Sequence, residues 1–110
     1  MKLRSLINAG LFAVLASMAA PLLAEGDPAA GKNKTSMCAG CHGIAGFRAA
    51  YPETYRVPKL GGQNAGYIVA ALKAYKAGER NHATMKAIAS SLTEQDMADL
   101  AAYYADSGKK

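Results

Sequence analysis

The run Cys38-Ala39-Gly40-Cys41-His42 constrains this chain more than any other stretch. Two thiols three positions apart come to the outer side of one helical turn, and an imidazole follows directly. The chain has 2 Cys, and both are in this run. A thioredoxin-like redox pair would need a strand before it and a βαβ pattern around it; residues 28–37 carry Ala, Lys and Gly with no strand-like alternation. A zinc site would recruit Cys38, Cys41, His42 and His82, yet Cys41 and His42 are adjacent, and neighbours rarely both reach one tetrahedral ion without strain. A disulfide between Cys38 and Cys41 would close a very small loop and gain little.

The reading that uses all three side chains is covalent attachment of a c-type haem. Cys38 and Cys41 reach two neighbouring vinyl groups on one edge of the macrocycle and become thioethers. His42 swings beneath the ring and binds iron as the proximal axial ligand. Five residues thus supply two tethers and one ligand for a single haem c.

The 110 residues allow at most one domain after a leader. Lys2 and Arg4 open the chain, Leu6 to Leu15 is mostly apolar, and Ala24 precedes Glu25. This is the pattern of a secretory signal peptide over 1–24, cut near Ala24, with the domain at 25–110. The apolar part is short for a membrane span, so no stable insertion is expected after cleavage. Export to the periplasm suits the cofactor, because bacterial c-type haem is attached outside the cytoplasm. A domain this small builds a marginal core alone, and an apolar macrocycle would fill that deficit. Without Lys2 and Arg4 the mature chain keeps 11 of the 13 Lys and Arg against 8 acids, a net +3, and this mild basicity points to an acidic partner or surface. It is too weak for nucleic acid, which needs a denser basic face.

Along the mature chain, Asp27-Pro28 predicts a helix start by N-cap and first-position Pro, and the helix should run to about Met37. Gly31 within it costs about 1 kcal/mol relative to Ala and suggests a close-packed neighbour. Residues 43–62 read as a long loop, tolerable in a small domain if it wraps a ligand. Phe47, Tyr51, Tyr55 and Leu60 would line that ligand or serve as ordinary packing, and Arg48 and Arg56 could pair with its carboxylates, although a solvated surface is the simpler reading for each arginine. From Asn64 to Ala77, Tyr67, Ile68, Ala71, Leu72 and Tyr75 recur at helical spacing, and Gly78 ends the helix. Residues 79–84 read as a turn, and 86–91 as a short helical turn. Thr93 and Asp96 form a capping box, with Leu92 stapled to Met97. Met97, Leu100, Ala101 and Tyr104 form the buried stripe of the last helix, which Gly108 stops. No segment alternates usefully with period two, so the fold class is all-α.

The iron's sixth position has four candidates. Met37 abuts Cys38 on the proximal side. Met97 falls in the core stripe, where Met is usually filler. Met85 is expected in a non-periodic stretch between helices, able to cross the distal face, with His82 as competitor. A thioether favours reduced iron, whereas a second imidazole lowers the potential. The expectation is Met85, with His82 or an open position as alternatives.

Taken together, Cys38 to Gly43, Pro58-Lys59-Leu60-Gly61-Gly62-Gln63, Tyr67 to Leu72, Gly78-Glu79-Arg80, Met85 and Leu100 to Tyr104 resemble the class I c-type cytochromes, in the family's order. The resemblance implies N- and C-terminal helices crossing closely around one covalent haem, with Gly31 against Tyr103 or Tyr104. It implies that a Pro carbonyl accepts a hydrogen bond from His42, best matched by Pro58 with Pro52 as competitor. It also implies a one-electron carrier with His/Met ligation, shuttling between respiratory donors and acceptors rather than acting as an enzyme. Lys59, Lys73, Lys76 and Lys86 are candidates to surround the exposed haem edge and steer redox partners with acidic docking surfaces, with a solvated helix or loop face as the alternative for each.

Overall fold

A computed structural model describes residues 26–50 and 54–108. The expected leader over 1–24, its cut near Ala24, and Tyr51 and Pro52 lie outside the described residues. The elements in chain order are α1 (Pro28–Lys32), α2 (Ser36–His42), β1 (Arg48–Ala49), β2 (Tyr55–Arg56), α3 (Ala65–Ala77), α4 (Ala83–Ser90) and α5 (Glu94–Ser107). The all-α class holds. α1 packs on α5, and α3 packs on both α4 and α5.

The first helix starts as expected, with the Asp27 carboxylate accepting from the Ala29 N–H at 3.0 Å. It does not continue to Met37. After Lys32 the backbone closes tighter bonds, Asn33 N–H to Ala30 O and Lys34 N–H to Gly31 O, and α2 begins anew at Ser36. Gly31 and Asn33 are weak helix formers, and Lys34 is drawn out of the helical path toward α5. Its Nζ reaches Asp99 Oδ2 at 2.6 Å and Asp96 Oδ1 at 2.9 Å.

The α1–α5 crossing is close because Gly31 is buried with no side chain. A Cβ there would collide with the Asp99 carbonyl and come within 2.8 Å of the Tyr103 Cβ. Gly26 lies just as tightly against the Ala98 carbonyl. Asp99 then ties the segment down. Asp99 is 3% exposed, and its carboxylate accepts from the Asp27 N–H, from Gln95 Nε2 and from Lys34 Nζ. A buried carboxylate survives only with such partners.

The 43–62 segment is not wholly irregular. Arg48 pairs with Arg56 and Ala49 with Tyr55 in a two-residue antiparallel ladder, extended by Val57 N–H to Phe47 O at 3.0 Å. A strand that short carries no readable alternation. Helix α3 matches its reading: Asn64 caps it through Tyr67 N–H, Ile68 and Leu72 are buried, and Gly78 leaves it at φ 81°.

Helix α4 begins at Ala83, earlier than the expected turn, because His82 caps it. Imidazole is absent from the usual N-cap residues, so the start is invisible to a search for Ser, Thr, Asp or Asn. Helix α5 opens with the Thr93–Asp96 capping box, and Leu92 and Met97 are both buried. The core of Ile68, Leu72, Ala89, Leu92, Met97, Leu100 and Ala101 lies between α3, α4 and α5.

Candidate cofactor site

Beside this core runs a predominantly apolar cleft of about 400 Å³. Helix α2 supplies Cys38, Cys41 and His42 to its lining, α4 supplies Met85 and Ile88, and Leu60, Ile68, Leu72, Leu100 and Tyr104 are among the other lining residues. The structure thus brings both thiols, His42, Pro58 and Met85 to one cavity. Both cysteines are free thiols, each partly buried. Burial pushes the Cys38 thiol above its usual range, while a hydrogen bond from Tyr104 pulls the other way. Burial also raises the Tyr104 phenol, with Cys38 adding to it.

His42 Nδ1 lies 2.6 Å from the Pro58 carbonyl oxygen. A carbonyl only accepts, so Nδ1 carries the hydrogen and Nε2 keeps its lone pair. The loop holding Pro58 is itself anchored: Gly62, at φ 84°, donates its N–H to the Tyr104 carbonyl at 2.9 Å. Gly62 and Gly108 touch so closely that a Cβ on Gly108 has no room. The carbonyl facing His42 is therefore fixed to the end of α5.

Met85 lies in the first turn of α4 rather than in a non-periodic stretch; the early start of that helix accounts for the difference. His82 also lines the cleft. Met97 is 1% exposed in the core and is not part of the lining. Met37 is half exposed on α2 and borders the cleft beside Cys38. Among the described residues, no group of three or more His, Cys, Asp or Glu has a metal-holding arrangement.

The loop side chains divide. Tyr55, Leu60 and Arg56 line the cleft; Phe47 and Arg48 do not. The lysines divide too. Lys59 borders the cleft, Lys73 pairs with Glu94 at 3.5 Å, and Lys76 donates to the Leu92 carbonyl at 2.6 Å. Arg80, named in the sequence only as part of the run Gly78-Glu79-Arg80, also lines the cleft. Its guanidinium carbon lies 4.7 Å from the Tyr75 ring centroid, and its Nη1 donates to the Tyr67 hydroxyl at 3.3 Å. Tyr67 itself is half exposed and lines the cleft.

An open apolar wall bordered by two free thiols, an imidazole with an available Nε2 and a thioether fits a covalently held haem. Known proteins agree. The cytochrome c family profile matches residues 28–106. The chain belongs to the cytochrome c family. It is 44% identical over 82 residues to cytochrome c-554(548) of Halomonas halodenitrificans, covering 72% of this chain and 94% of that one. Cytochrome c4 of Pseudomonas aeruginosa is 39% identical over 82 residues, and that of Azotobacter vinelandii 37% over 90, each match covering 74% of this chain. The chain spans 39% and 41% of those two c4 proteins. Family membership carries the cofactor, covalent haem c, and the role of electron-transfer protein rather than enzyme.

Proposed function

We propose that this protein is a periplasmic one-electron carrier whose single haem c is tethered through Cys38 and Cys41 and ligated by His42 and Met85. The observation that carries the reading is the His42–Pro58 hydrogen bond, which leaves Nε2 as the ring's only available lone pair. The bound cofactor supplies a one-electron iron couple. The chain's residues fix its surroundings. Pro58 holds the His42 ring and strengthens it as a donor, the usual effect of an outer hydrogen bond on a metal-bound imidazole. A Met85 thioether favours the reduced iron and raises the potential. Leu60, Ile68, Leu72 and Leu100 exclude water, which keeps reorganisation small.

Residues 1–24 act as a cleaved leader in this reading, with the mature chain beginning near Glu25. Among the described residues no helix is long and apolar enough to cross a membrane. Lys59, at the cleft, steers a redox partner with an acidic docking face. The test is the ferric absorption spectrum of exported protein beside Met85→Ala. The thioether–iron band at long wavelength is expected in the parent and absent from the variant, with covalent haem retained in both. A band that survives in Met85→Ala removes Met85 from its role.

A further inference from the structure

We propose that His82 is a positioning residue: its imidazole caps α4 by accepting from the Met85 N–H, which aims Met85 at the cleft and keeps the His82 ring from ligating in its place. This rests on the Met85 ligation proposed above.

The His82 side chain accepts from the Met85 backbone N–H through Nδ1 at 3.2 Å. An amide N–H only donates, so Nδ1 carries no hydrogen. A neutral imidazole must then carry its hydrogen on Nε2. The chain's two histidines are therefore held in opposite tautomers at one cleft. Pro58 leaves His42 with a free Nε2 lone pair; Met85 leaves His82 with none. For His82 to offer Nε2 as a ligand, its hydrogen would have to move to Nδ1, where it would face the Met85 N–H, donor against donor. Capping α4 and binding iron through Nε2 exclude each other.

The ring also meets two tyrosines. Tyr55 of β2 meets it edge-on at 4.6 Å between centroids, and Tyr75 of α3 at 6.3 Å. These contacts set the imidazole plane, the plane directs Nδ1 at the Met85 amide, and the cap fixes the first turn of the helix that carries the thioether.

Three variants of the holoprotein test this. His82→Asn keeps a side-chain acceptor suited to a helix start, and His82→Ala removes it; Met85→Ala tests the ligand. The thioether–iron band and potential should be near parental in His82→Asn, and the band should fall to half or less in His82→Ala with covalent haem unchanged. Amide exchange at Met85 should quicken about five- to tenfold in His82→Ala and return in His82→Asn. Nitrogen NMR of the reduced parent should show hydrogen on Nε2 of His82. If His82→Ala keeps the full band while Met85→Ala loses it, the positioning role is overturned and the ligand stands. A His82→Asn variant as impaired as His82→Ala, or an Nδ1–H tautomer in the parent, also overturns it. A band that persists in Met85→Ala overturns the ligation reading and this one with it.

Discussion

Gly31 of α1 lies directly against the Asp99 carbonyl of α5, leaving no space for a side chain. Gly31→Ala should cost about 1–3 kcal/mol through overpacking, lowering Tm by roughly 4–8 °C for each kcal/mol. Gly40→Ala is the control: a Cβ there meets nothing within 4 Å, so the helix should be unharmed or gain roughly 0.5–1 kcal/mol. Thermal unfolding of the two holoproteins checks the contrast.

Asp99 makes the same crossing sensitive to acid. The Asp27 N–H, then Lys34 and Gln95, hold its carboxyl well below the usual carboxylate range, to about 2. The folded state therefore favours the ionised form. Its contribution is fully present above the ordinary carboxylate pKa of about 4 and is lost as pH falls toward 2. Asp96, lowered by the Thr93 N–H and by Lys34, acts in the same direction. Asp99→Asn should be less stable than the parent at neutral pH, with the difference shrinking as pH falls through this window. Denaturant midpoints from pH 7 to pH 2 measure it, and a constant difference would remove Asp99 as its source.

Replacing the proposed sixth ligand by a nitrogen donor should move the potential in a known direction. Met85→His should remain low-spin but show a lower midpoint potential, because imidazole favours oxidised iron more than a thioether does. Redox titration of parent and variant decides this.

Lysine position should matter more than lysine number. Lys59 borders the cleft, whereas Lys76 is committed to the Leu92 carbonyl. At low ionic strength, Lys59→Glu should slow electron transfer to an acidic redox protein by roughly tenfold, and salt should erase most of that loss. Lys76→Met should leave the rate nearly unchanged and lower stability by about 1 kcal/mol. Stopped-flow kinetics against salt separates the two lysines.

The sequence announced those features whose physics is local. Cys38, Cys41 and His42 are contiguous, the Thr93–Asp96 box is a four-residue pattern, and Gly78 stops α3 by conformation alone. What escaped depends on distant partners. The break between α1 and α2 follows Lys34 reaching Asp99 across 65 positions. Asp99 itself reads as one more surface acid until α1 folds over it. The start of α4 was hidden because His82 caps it with a ring, and that displaced Met85 from an expected loop to a helix. The β1–β2 ladder is too short to leave a pattern.

The most direct test of the central claim is intact and peptide mass spectrometry of the exported protein, with a pyridine haemochrome measured on the same sample. The account predicts a chain beginning near Glu25, heavier by one haem, with the added mass confined to the peptide holding Cys38 and Cys41. A colourless, cooperatively folded product with both thiols unmodified would contradict it.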